Sequence, residues 1–231
     1  MTTAAPSTQW GWAMRTRPLP TAQTRQTLPG FIQRRTLLGY WPAFSARTLR
    51  DSSPDARRNW NGPATKRPVF FVASAAQDGR VNLSPKGADT LRIINDTQIL
   101  WLNLSGSGNE TAGHLARLNR LTMMFCAFEG DALILRLYGQ VKTIHPRDEE
   151  WQQHIGSFDP MAGSRQLFLM TIDSVQTSCG SGVPFMKYEA NRAEQELVPY
   201  YEGMGPEGVE KYWRKKNVET IDGFDTGLFE T

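Results

Sequence analysis

Two short polar stretches of the chain could together hold an anion. In Val81-Asn82-Leu83-Ser84-Pro85-Lys86-Gly87, strand alternation puts Asn82 and Ser84 on one face and Val81 and Leu83 on the other. Pro85 has no N–H to give a ladder and is expected to end the strand, leaving Lys86 and Gly87 in the turn. An amide, a hydroxyl and an ammonium within five residues would make half of a phosphate site. The plain alternative is a polar strand face running into a Ser-Pro turn.

The second stretch is Ser105-Gly106-Ser107-Gly108-Asn109-Glu110-Thr111-Ala112-Gly113-His114-Leu115. Ser107 and Glu110 have the spacing of a capping box, which places a helix start near Gly108. Ala112, Leu115, Ala116 and Leu118 give that helix one apolar face. Glycines before a helix start let backbone N–H groups converge on an anion that the helix dipole favours. A glycine loop leading into a well-capped helix accounts for the same residues without a ligand, and Glu110 brings a negative charge to the proposed site unless its carboxylate is taken up by the cap.

Other chemistries find less. Cys126 and Cys179 form neither a disulfide framework nor a metal site, so no metal is expected and a reducing, cytoplasmic setting is the default. Cys126 reads as core and Cys179, in a small-residue loop, as exposed. His114, His145 and His154 fall on separate elements and read as surface or satisfied helix residues. No catalytic acid or base is identified.

The charge of +3 over 231 residues is unevenly placed. Residues 1–65 hold nine arginines against two aspartates and have prolines at 6, 18, 20, 29, 42, 54 and 63. This segment is expected to lie outside the fold, as a disordered tail or a wrongly assigned start. Its acid-poor, Arg-rich composition is also that of a mitochondrial targeting peptide, although the prolines would break the helix such a peptide needs. Residues 66–231 form the expected domain and are net acidic, against a nucleic-acid partner. No apolar run reaches the roughly 18–20 residues needed to span a bilayer.

The elements that would position the two stretches follow in order. Pro68–Ser74 is β-branched and aromatic, and the Asp78-Gly79 pair reverses it into Val81–Ser84 as a hairpin. Gln98–Leu104 is a third strand. Leu121–Phe128 and Ala132–Ile144 pair across Glu129-Gly130-Asp131, with a bulge expected at Gly139. A helix over Arg147–Phe158, a sixth strand over Gln166–Val175 and a last helix over Pro206–Asn217 complete the list. Six strands joined mostly by hairpins, with helices inserted singly, indicate a mainly β, antiparallel barrel.

With these stretches, Phe70-Phe71-Val72-Ala73, Met124-Phe125-Cys126-Ala127-Phe128 and Gln176-Thr177-Ser178-Cys179-Gly180, the chain resembles the pyridoxamine 5′-phosphate oxidase-like proteins over about residues 68–231. Lys216-Asn217 and Ile221-Asp222-Gly223 are similar to that family's ending. The resemblance implies a six-stranded split β-barrel of Greek-key type, a homodimer, and FMN at each of two interface sites. Asn82, Leu83, Ser84 and Lys86, with Ser107, Gly108, Asn109 and Thr111, would hold the FMN phosphate. Ser178 and Gly180, within Thr177–Val183, would lie near the flavin or the dimer contact.

The implied activity is that of an FMN-dependent oxidoreductase acting on a small molecule. A non-catalytic flavin- or ligand-binding dimer is the alternative, and a haem-handling barrel with an axial histidine a more distant one. The Arg/His motif with which vitamin-B6 oxidases grip the substrate phosphate is not found in Ile221–Thr231, so that particular reaction does not transfer.

Overall fold

The computed structural model describes residues 69–95 and 97–229. The expectations for residues 1–65, and for the entry of the first strand at Pro68, lie outside them.

β1 (Phe70–Ser74) buries alternate residues, Phe70, Val72 and Ser74. Gly79 takes the positive φ of 82° that the Asp-Gly reversal requires. β2 (Asn82–Lys86) then returns antiparallel, with Ser74 opposite Asn82, Val72 opposite Ser84 and Phe70 opposite Lys86. Residues directly opposite share a sheet face, so Asn82, Ser84 and Lys86 all point to the side on which β1 builds its core.

The expected strand end at Pro85 is therefore corrected: Pro85 lies within the ladder and Lys86 is on the strand. β2 is an edge strand, and a proline there need not cost a ladder bond. The Lys86 ammonium is therefore carried by a sheet rather than by a turn.

Seven strands form one antiparallel sheet in the order β2-β1-β5-β6-β7-β4-β3, so the expected six-stranded barrel is also corrected. The additional strand is β3 (Leu91–Asn95), which pairs with β4 (Gln98–Leu104). Its residues are half-buried or exposed in no alternating order, so it carries no period-2 signal. β5 (Leu121–Cys126), β6 (Ile134–Ile144) and β7 (Ser164–Ser178) make up the middle of the sheet. The register between β6 and β7 slips at Gly139, as expected of a bulge, and a Cβ there would lie 2.1 Å from the Thr171 carbonyl oxygen.

The edges β2 and β3 do not pair with each other, so the sheet is not closed. It is curled, however. Phe70 of β1 packs edge-on against Trp101 of β4, with ring centroids 6.3 Å apart, although three strands lie between them in the sheet order. Phe125, Met123, Leu137, Phe168 and Met170 complete that core. The opposite face of β4 places Leu100 and Leu102 with Ile144 and Leu167 under Trp151 of α2 (Glu149–Ile155) and Phe158.

α1 (Glu110–Arg117) connects β4 to β5 and packs on β1. α3 (Val198–Lys216) follows one π-helical turn and is longer than the expected 206–217. It breaks at Gly205, φ 64°, and restarts at Pro206. The first half is held by Tyr201, which is buried and packs against Gly163 at the head of β7. No helix among the described residues is long and apolar enough to cross a membrane.

Candidate functional site

The inward face of β2 meets the first turn of α1. Asn82 donates from Nδ2 to Thr111 Oγ1 at 3.3 Å, and Ser84 donates from Oγ to Asn82 Oδ1 at 3.2 Å. On the far side of Thr111, Ser74 Oγ lies 3.1 Å from His114 Nδ1. His114 is a buried helix residue engaged by the sheet, so its satisfied-residue reading applies to Nδ1; its Nε2 has no partner among the described residues. The β2 face and the helix start thus form one polar corner, as the two sequence stretches require.

Lys86 lies at the other end of the β2 face, its ammonium 5.4 Å from the centroid of the Trp101 ring. The nearby charge is another cation, Arg165, at the head of β7. Burial, and secondarily the charge of Arg165, lower the Lys86 pKa to about 8. Arg165 is itself 2% exposed, and burial lowers its pKa to about 10. Among the described residues neither cation has a carboxylate partner. A half-buried and a buried like charge without a counter-ion are unfavourable, because the desolvation of each goes uncompensated. An anion between them would relieve this.

The neighbouring polar side chains are also rich in donors. Asn103 donates from Nδ2 to Asn109 Oδ1 and to Gln166 Oε1, both at 3.3 Å. These bonds occupy the two carbonyl oxygens and leave Asn109 Nδ2 and Gln166 Nε2 buried without an acceptor, as is Arg165 Nε. Buried donors are nearly always satisfied in folded proteins, so such a group marks a place that suits an acceptor. The carbonyl oxygens of Gly106 and Gly108, which would repel an anion, accept from Asn217 Nδ2 at 3.0 Å and Arg165 Nη1 at 3.1 Å. Cation pair and unpaired donors fit a phosphate group.

The residues named from sequence divide accordingly. Asn82, Ser84 and Thr111 are joined by hydrogen bonds; Lys86 and Asn109 lie beside Arg165 and Asn103, and Gly108 contributes a backbone carbonyl. Leu83 points outward and is 63% exposed, and Ser107 is exposed. The capping box does not form. α1 begins at Glu110 with no side-chain cap bond, and the Glu110 carboxylate instead accepts from the Ile221 N–H. Ser178 accepts from Arg136, and Gly180 is buried against Leu133, at the far end of β7 from Arg165. A single chain does not bring these two to the corner.

Sequence reasoning missed Arg165, Gln166, Asn103 and Asn217. The available signal was an Arg-Gln pair heading the apolar run Leu167–Met170, a costly place for a charge without a task. Of the cysteines, Cys126 is half-buried and Cys179 exposed. The Cys179 pKa is lowered by its hydrogen bonds with Ser181. No metal-holding cluster occurs among the described residues. A cavity of about 760 Å³ lies between the head of β7, α3 and the chain end; its walls include Met161, Tyr201, Trp213 and Phe229 but neither Lys86 nor Arg165.

Residues 61–179 match the family model described as pyridoxamine 5′-phosphate oxidase. A curated relative from Aspergillus flavus, the pyridoxamine 5′-phosphate oxidase family protein ustO, is 31% identical over 156 residues, which are 65% of this chain and 61% of that protein. The aligned part of this chain thus spans about six tenths of the relative's length. Among solved structures, a pyridoxamine 5′-phosphate oxidase-related, FMN-binding protein from Nostoc punctiforme aligns with 58% of this chain and 87% of its own, at 12% identity and a TM-score of 0.41. The heme storage protein HutZ from Vibrio cholerae aligns with 49% of this chain and 87% of its own, at 14% identity and a TM-score of 0.36.

Proposed function

Because the chain belongs to the pyridoxamine 5′-phosphate oxidase family, we propose that its polar corner holds the phosphate of FMN and that the protein is an FMN-dependent oxidoreductase acting on a small molecule. The observation that carries this reading is the half-buried Lys86 beside the buried Arg165, without a carboxylate partner among the described residues. FMN would supply the redox chemistry, and the chain would supply position and electrostatics. Lys86 and Arg165 would neutralise the phosphate. Asn109 Nδ2 would donate to its oxygens, and Asn82, Ser84 and Thr111 would line its β2 side.

Ser178 and Gly180 lie roughly 40 Å along β7 from Arg165, by the rise of a strand. Under this reading a second copy of the chain brings them to the flavin, so a homodimer is part of the proposal.

The test is purification without added cofactor, an absorbance spectrum, and mass analysis of whatever is released on denaturation. A yellow protein absorbing at roughly 450 nm, as flavins do, is the expected result. A colourless protein that takes up no added FMN overturns it. A flavin-loaded dimer that no nicotinamide or small-molecule donor reduces would be a non-catalytic binder instead. A Soret band on haemin titration, with no flavin taken up, would favour haem.

A pH dependence follows from Lys86. In the free protein its ammonium is lost as the pH rises through about 8, where an unperturbed lysine would stay charged to about 10.4. The phosphate remains dianionic well above its own pKa of about 6. FMN affinity is therefore expected to be level between about pH 7 and 8 and then to fall, up to about tenfold per pH unit, with proton uptake on binding. Titrations between about pH 7 and 9.5 read this directly. A level profile throughout would remove Lys86 from the site.

A further inference from the structure

We propose that Asn217, carried by the C-terminal tail, is the positioning residue that aims Arg165 at the anion, so that the tail completes the phosphate site. This rests on the reading that the corner holds the FMN phosphate. Both protons of Arg165 Nη1 have partners: one bond goes to the Gly108 carbonyl at 3.1 Å and one to Asn217 Oδ1 at 2.6 Å. The Nε–H and the Nη2 group, which form the side-on edge of a guanidinium, accept no such duty; Nε has no acceptor and Nη2 makes no hydrogen bond among the described residues. That edge is the one that grips an oxyanion with two parallel N–H bonds. Asn217 thus fixes the guanidinium by the nitrogen that the anion does not need.

The chemical type of Asn217 is what makes this a binding device rather than a structural ion pair. An amide oxygen orients the guanidinium and leaves its charge uncancelled, whereas a carboxylate in the same place would neutralise it. Asn217 itself is 0% exposed and held on every side. Its N–H donates to the Trp213 carbonyl at 2.8 Å, its Nδ2 to the Gly106 carbonyl, and its own carbonyl accepts from Thr226 Oγ1 at 2.6 Å.

The tail beyond it is pinned in turn. Asp222 pairs with Arg80 at the β1–β2 turn, the Ile221 N–H is held by Glu110, and Arg147 donates to the Gly227 and Leu228 carbonyls. The tail residues in these contacts, Asn217 to Leu228, lie beyond residue 179, where the match to the family model ends, while their partners Arg80, Glu110 and Arg147 lie within it.

The experiment compares the full-length protein with Asn217→Ala and Asn217→Asp by titration with FMN and with riboflavin, which lacks the phosphate. Melting temperature serves as the control for folding. Asn217→Ala is expected to weaken FMN about tenfold or more, the scale of a lost contact to a charged group, with riboflavin affinity unchanged. Asn217→Asp keeps an acceptor for Arg165 but cancels its charge, so FMN affinity falls likewise and becomes less sensitive to salt.

A merely structural Asn217 gives the opposite pattern. FMN and riboflavin would then weaken together in the alanine variant, and together in the aspartate variant, which loses the Nδ2 donation to Gly106. Either result overturns the proposal. If the unaltered protein binds riboflavin as tightly as FMN, the corner does not hold the phosphate, and the role of Asn217 falls with that reading.

Discussion

Lys86→Ala weakens FMN binding by about 1.5–3 kcal/mol, a factor of ten to more than a hundred, when titrated against the unaltered protein below pH 8; this is the expected size of a lost charge-assisted contact. The ammonium is held on β2 by its register with Phe70 and lies over the Trp101 ring, where desolvation first and the charge of Arg165 second depress its pKa. In the free protein it is a half-buried charge beside a like charge, so its removal takes away an unfavourable interaction as well as some packing of its stem. The loss should accordingly appear in the FMN-induced rise of melting temperature, which follows affinity, and not as a matching fall in the melting temperature of the free protein. Unchanged FMN affinity would move the phosphate elsewhere.

Trp101→Ala is expected to cost about 3–5 kcal/mol of folding stability, the range for truncating a large buried aromatic. Trp101 is 1% exposed and joins parts of the sheet that no ladder connects. It meets Phe70 of β1 edge-on at 6.3 Å and Phe168 of β7 at 4.8 Å, with Lys86 of β2 above it. Since β2 and β3 do not pair, the curl of the sheet depends on contacts across its interior. Against a total stability of about 5–15 kcal/mol, such a loss would leave little reserve. Urea unfolding followed by far-ultraviolet circular dichroism measures it. A cost below about 1 kcal/mol would mean that the curl is held elsewhere.

Local chemistry was legible where it is self-sufficient. The Asp78-Gly79 reversal, the β-branched and aromatic strand over Phe70–Ser74, and the bulge at Gly139 could each be read from a few neighbouring residues. β3 could not, since its residues show no alternating burial. Pro85 does not end β2, because whether a proline breaks a ladder depends on whether its strand lies at an edge, and that is a property of the sheet order. The capping box failed for a related reason. Glu110 had two uses available, and the Ile221 N–H, far away in sequence, took the carboxylate.

By itself the sequence determined the period-2 strands, the tight reversals and half of the polar corner, because those depend on side-chain type and spacing over a few residues. Asn82, Ser84 and Lys86 share a face by alternation alone, and Asn109 and Thr111 stand at the start of a helix by the glycines and apolar face around them. Only the tertiary structure decided that a second cation, Arg165, comes to Lys86, and that Asn217 turns it. Arg165 lies 79 residues beyond Lys86 and Asn217 a further 52, and no local preference encodes a meeting over such separations. The packing of the curled sheet and the pinning of the tail encode it, through burial that leaves charges and donors with nowhere else to go.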